Sequence, residues 1–243
     1  MAAERALDNA ERVLDNATWE SLTGAHAQLA ERHGRVVRYP VDVSPFAAVR
    51  PGVSAWDEVA ELAGAGNEVF IPGLDTPPPG WETTLSIPGV QLVDAGVEGA
   101  ADPEAVRLAV ADVPEMLALA QRTRPGPFLP RTIELGTYLG IRRGGELVAM
   151  AGERLHPPGW TEISAVCTDE SQRGQGLATR LVRALVAGIR ERGERPFLHT
   201  PATNTNAIRL YQALGFHLRR RVSFTSVRVP EPVSGTPGTL TRP

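Results

Sequence analysis

Leu177, Leu181, Leu185 and Ile189 recur at strict four-residue steps, with Arg180, Arg183 and Arg190 between them. This spacing stacks apolar side chains on one side of a helix over 177–192, and Gly193 supplies its stop. Just before it, 161–168 reads as a strand ending at Asp169-Glu170. Further on, Phe216, Leu218, Val222 and Phe224 alternate with Arg219, Arg221 and Ser223, the mark of a half-buried strand. Between these lies a short strand over 196–200, and then a helical run capped by Asn204. Upstream, 89–93 is a candidate strand. Asp112, Pro114 and Glu115 open a helix whose apolar stripe is Met116, Leu119 and Ala120. Arg143-Gly144-Gly145 joins two strand-like runs as a hairpin.

The first 90 residues form a block of their own. Thr18 starts a helix carrying Trp19, Leu22, His26 and Leu29 and ending near Gly34. A strand over 35–39, a helix with Trp56, Val59 and Leu62, and a strand over 67–71 follow. A proline loop over 75–80 cannot join a ladder. The expected division is an α/β accessory domain over 1–90, a second domain over 91–229, and a mobile Pro/Gly/Ser/Thr-rich tail over 230–243.

The junction of strand 161–168 and the long helix carries the chemistry. Arg173-Gly174-Gln175-Gly176-Leu177-Ala178 turns the chain tightly, points N–H groups into one concavity and adds a helix N-terminus and a guanidinium. This is a cradle for an anion such as a diphosphate. A dinucleotide-binding turn would need a third glycine or alanine at Thr179 and an acidic residue about 20 positions on. A P-loop would need a lysine, and the chain has none. A plain strand-to-helix turn is the remaining alternative.

Two motifs in order narrow the choice. Arg-Gly-x-Gly-Leu-Ala, followed by Asn204-x-x-Ala207-Ile-x-Leu-Tyr211-x-x-Leu-Gly215-Phe216, resembles the GCN5-related N-acetyltransferase (GNAT) superfamily. Within it the chain is similar to the FR47-like, glycine N-acyltransferase-like branch, over roughly residues 90–229. The resemblance implies an α/β GNAT fold, a mixed and mostly antiparallel sheet flanked by helices. The first block is then either a reduced GNAT-like repeat, a cap that shapes the substrate site, or a packing and dimerisation domain that would make a homodimer. One departure is Ser171, where the family often has Gln or Arg; it weakens one side-chain contact to a diphosphate.

The resemblance implies acetyl-CoA as acyl donor and direct transfer to the amine of a small molecule or peptide in a ternary complex. A non-catalytic acyl-CoA-binding module is the alternative. Coenzyme contacts are expected from Val166, Cys167 and Thr168, from Arg173, Gly174, Gln175, Gly176, Leu177, Ala178 and Thr179, and from Asn204, Ala207 and Tyr211. Tyr211 stands at the family's general-acid position, or else only packs beside Leu214. His199 stands where relatives carry a glutamate base, or else is a hydrogen-bonded strand histidine. Glu162 is the rival base, or else an exposed sheet carboxylate. Cys167 as an acyl-accepting nucleophile is the weakest reading. The loop 124–128 falls where the family binds acceptors, and Glu134, Glu153 and Glu162 would favour a cationic amine.

Composition adds exclusions. With 25 basic residues against 28 acidic ones, a nucleic-acid partner is not indicated. One cysteine excludes an internal disulfide and fits a cytoplasmic protein. The five histidines lack ligand spacing, so no metal is expected. No apolar run suits a membrane span or a signal peptide.

Overall fold

The computed structural model describes residues 11–74 and 76–231; most of the tail expected at 230–243, and its mobility, lies outside them. The first block contributes helix α1 (Ala17–Thr23), a small antiparallel sheet of β1 (Glu31–His33), β2 (Val36–Arg38) and β3 (Ala47–Val49), helix α2 (Trp56–Ala63) and strand β4 (Glu68–Pro72). β5 (Glu82–Asp94) and β6 (Val106–Arg107) lead to helix α3 (Val113–Thr123). Then come β7 (Tyr138–Arg143), β8 (Glu146–Glu153), β9 (Trp160–Thr168), α4 (Leu177–Glu191), β10 (Arg195–Pro201), α5 (Thr205–Leu214) and β11 (Phe216–Arg228).

The main sheet runs β4-β11-β5-β10-β9-β8-β7-β6 and is antiparallel except where β9 meets β10. The expected class, a mixed and mostly antiparallel sheet flanked by helices, is therefore present. β5 crosses residue 90 and β4 pairs with β11, so both blocks share one sheet. The amphipathic helix forms as its spacing requires: Leu181 and Ile189 are fully buried, and Leu177 and Leu185 nearly so, in a cluster with Ile163 and Leu198. At about 25 cal/mol per Å2 of apolar surface, each such side chain contributes roughly 1.5–3 kcal/mol.

The helix expected to run to Gly34 stops instead at Thr23. The backbone N–H groups of Gly24 and His26 both bond back to Ser21 O, and 31–33 peel away to pair with β2. His26 is buried and bonds Tyr39 Oη through Nδ1 at 2.8 Å and Leu135 O through Nε2 at 3.1 Å. Tertiary partners thus override the helical spacing.

Candidate functional site

β9 and β10 pair only between Trp160–Ile163 and Arg195–Leu198. Beyond that, β9 runs on to Thr168 and β10 to Pro201 with no ladder between them, which leaves a wedge in the sheet. At its mouth the β8–β9 register shifts and Ala165 adopts φ +52°, a conformation uncommon for residues other than glycine. The bulge turns β9 backbone away from its ladder.

A cavity of about 370 Å3 opens at this wedge. It is lined by Val166, Cys167, Thr168, Arg173, Gly174, Gly176, Leu177, Ala178, Thr179, Asn204, Ala207 and Tyr211. Gly174 and Gly176 have φ +79° and +72°, and a Cβ at either would meet no atom within 4 Å. Backbone conformation, not crowding, demands glycine here. No side chain caps α4, so its first-turn N–H groups remain available to an anion. Among the described residues, Thr168 Oγ1 is buried without a hydrogen-bond partner in the same cavity. A Gly-lined cradle and an orphaned hydroxyl fit a diphosphate ester with a polar arm.

Gln175 does not line this cavity; its side-chain amide donates to Gln172 Oε1 at 3.0 Å. Ser171 closes the turn before the cradle by bonding Asp169 Oδ1 through both N–H and Oγ. Arg124, in left-handed conformation at the end of α3, and Pro125 border the cradle. The loop 124–128 thus joins the anion side, while Gly126 and Phe128 line a separate surface hollow. Asn204 caps α5, its Oδ1 accepting from Ala207 N–H at 3.2 Å. Tyr211 is buried edge-on to Phe216 at 6.0 Å, and burial, reinforced by nearby Cys167, pushes its phenol up to about 12. Burial pushes the Cys167 thiol up to about 11, which keeps it protonated and unsuited to nucleophilic attack.

His199 and Glu162 come together elsewhere. Along β10, Leu198 packs with α4 while Phe197 packs with the first block, so His199 faces away from α4. Tyr211 belongs to the α4 side. His199 Nδ1 lies 2.7 Å from Glu162 Oε1, and Arg154 grips the same carboxylate at 2.6 and 2.8 Å. Glu162 is fully buried, not an exposed sheet carboxylate. Burial alone would raise its carboxyl, but Arg154 and then His199 outweigh it and hold the group at about 2. A carboxylate so held is a poor base. Arg219, which can only donate, fixes Gln91 Oε1 at 2.7 Å, so the Gln91 amide donates to His199 Nε2 at 2.9 Å and Leu14 O at 3.0 Å. This network orients His199 with its proton on Nδ1 and a lone pair on Nε2.

Glu153 is likewise matched, by Arg192 at 2.8 Å, and Glu134 by Arg131 at 2.7 Å. The expectation that these three glutamates would draw a cationic amine is overturned, since each is already neutralised. The sequence pattern does not single out Arg154 or Gln91 as site residues. Gln91 had a signal, a polar residue inside the apolar run 90–93; Arg154 had none. Among the described residues no group of three His, Cys, Asp or Glu side chains could hold a metal ion, and no helix is long and apolar enough to cross a membrane.

The FR47-like protein family matches residues 138–225. N-alpha-acetyltransferase RimI of Mycobacterium tuberculosis is 38% identical over 90 residues, and mycothiol acetyltransferase of Thermobispora bispora is 36% identical over 83. The matches span 35% and 30% of this chain, and only 56% and 28% of those two proteins. A crystal structure of a GNAT-family protein from Novosphingobium aromaticivorans is 40% identical, with a TM-score of 0.84 over 90% of this chain and all of that one. A GCN5-related N-acetyltransferase from Kribbella flavida shares the fold at 20% identity and a TM-score of 0.56, over 89% of this chain and 96% of that one. By its fold, its motifs and this full-length likeness, the chain belongs to the GCN5-related N-acetyltransferase family.

Proposed function

We propose that the protein is an acyl-CoA-dependent N-acetyltransferase that passes an acetyl group directly to an acceptor amine. The observation that carries this reading is the wedge between β9 and β10, with an uncapped Gly-lined helix N-terminus and Tyr211 on one face and an oriented His199 on the other.

When bound, the coenzyme supplies the acyl group as a thioester with a thiolate leaving group. The 174–178 backbone and Arg173 hold its diphosphate, and β9 main chain from Val166 to Thr168 hydrogen-bonds its arm. Backbone N–H groups around the Ala165 bulge would stabilise the negative charge that acyl transfer develops on the thioester carbonyl. His199 Nε2, once Gln91 yields, takes the proton of the acceptor amine. Tyr211, protonated throughout the neutral range, gives its proton to the departing sulfur; transfer to a thiolate whose acid has a pKa of about 8.5 is uphill and follows C–S cleavage.

The test is titration calorimetry with acetyl-CoA against the intact chain and an Arg173→Ala, Gly176→Asp double variant. Micromolar binding that the double variant loses, with thiol release on adding amines, is the expected result. An intact chain that does not bind acetyl-CoA refutes the reading.

A further inference from the structure

A second cavity, of about 270 Å3, lies on the His199 side of the sheet. Its floor includes Gln91 of β5, His199 of β10 and Phe224 of β11. Gly89 makes the floor possible: a Cβ there would meet the Phe224 ring at 2.3 Å, so only glycine lets that ring lie across β5, with its centroid 5.9 Å from that of His199. The walls come from the first block, at Leu14, Phe46, Trp56, Ile71 and Leu74. All of these precede the family match, which begins at residue 138. The cavity is therefore shaped by the part of the chain that the shared motifs do not cover.

Its charges are already spent. The lining residues with full charge are Asp15, Arg154 and Arg220, with His199 the titratable fourth. Arg154 is gripped by Glu162, and its guanidinium lies 4.9 Å from the centre of the Phe46 ring. Arg220 pairs with Asp15 at 2.8 Å, and Asp15 also meets Arg219 at 2.8 Å. An acceptor with a carboxylate would find no spare guanidinium here, and a polyamine no spare carboxylate. Asp15 and Arg220 lie at an exposed rim, but the floor at Gln91, Arg154 and His199 is largely buried, so either charge brought down beside them would be unmatched away from water, which is costly. An apolar body meets the indole of Trp56, the Phe224 ring and aliphatic walls instead. The neutral lining also favours the uncharged amine that attack requires.

We propose that this cavity is the acceptor site and that it takes a compact monoamine with an aromatic or branched aliphatic body. A few hundred Å3 is at the small end for ligand pockets, suited to a small molecule. The proposal rests on the acyl-transfer reading above, and the experiment separates the two.

Thiol release from acetyl-CoA by the full chain is measured with 2-phenylethylamine, isoamylamine, spermidine, glutamate and an alanyl peptide. The expected result is kcat/KM about tenfold or more higher for the first two amines. Trp56→Ala and Leu74→Asp, at half-buried positions, should each raise KM for those amines about tenfold and leave the Kd for acetyl-CoA unchanged. Leu74 sits at the end of a surface turn, so its variant stays informative should Trp56→Ala unfold the chain. Failure of the intact chain to bind acetyl-CoA would sink the acyl-transfer reading and this one with it. Acetyl-CoA binding without turnover of the apolar amines, a preference for spermidine, glutamate or the peptide, or an unmoved KM in both variants would overturn this inference alone.

Discussion

At the scale of single residues, the two faces of the wedge make separable claims. Among the described residues Tyr211 has no charged partner, and its phenol is raised by burial and Cys167. Replacing it with Phe keeps the ring against Phe216 and removes the hydroxyl, and with it the transferable proton. Tyr211→Phe should therefore lower kcat by about 10²–10⁴-fold with acetyl-CoA Kd within about twofold of the parent, measured by thiol release and calorimetry. Cys167→Ala is the matched control. The thiol is buried and held protonated, and Ala keeps the main-chain groups of residue 167 that face the cavity, so the variant should keep turnover within about threefold of the parent if no acyl-enzyme forms. A variant without turnover that still folds would reopen the covalent route. The Asn204 cap and the positive φ of Gly174 and Gly176 are legible because each is set by local rules, whereas Tyr211 is reached only through the family resemblance. The fate of Glu162 is not legible. Its partners Arg154 and His199 are 8 and 37 residues away, and nothing near it in the chain announces a buried ion pair.

At the scale of elements, legibility followed how far each element depends on its own sequence. Helix α4 was readable because its stripe and its glycine boundaries agree, and the β7–β8 hairpin because Gly144 and Gly145 take φ +58° and +91°. Hydrophobic spacing over-extends the short α1, because after Gly24 that spacing serves the first block's core, not a helix face. These contrasts predict different sensitivities. Leu181 is fully buried between α4 and the sheet, so Leu181→Ala should lower stability by about 2–5 kcal/mol in denaturant unfolding. The loss should come with weaker acetyl-CoA binding, since α4 carries the anion cradle at its first turn. An equivalent truncation at Leu29, half-buried beside a short turn, should cost under about 1.5 kcal/mol. Equal losses at the two positions would mean that α4 does not organise the core.

At the scale of the whole molecule, the sheet decides what can fold alone. β5 lies between β11 and β10, and its first nine residues, 82–90, precede residue 91. A fragment over 91–229 would lose those residues, β4 and the Leu14–Phe46 cluster that covers Trp160 and Phe197. It should be unfolded by circular dichroism, because β11 from Arg221 to Arg228 would lose its pairing with β5 and, over its last five residues, with β4. Acid should act on the whole chain through two buried groups. Burial, and the neighbouring His156 ring 4.9 Å away, lower His26 from 6.5 to about 4, and His156 shifts in the same direction. Glu162 is lowered from 4.5 to about 2. In both cases the unfolded chain takes up the proton at higher pH than the fold does. Their stabilisation is then complete above the unfolded value and is lost as pH falls toward the folded one. The first loss falls between pH 6.5 and 4, the second between 4.5 and 2. Urea midpoints measured from pH 8 to 3 should fall in two overlapping steps, and His26→Gln should flatten most of the upper one. A midpoint that stays level from pH 6.5 to 4 in the parent chain would show that His26 is not held neutral by the core.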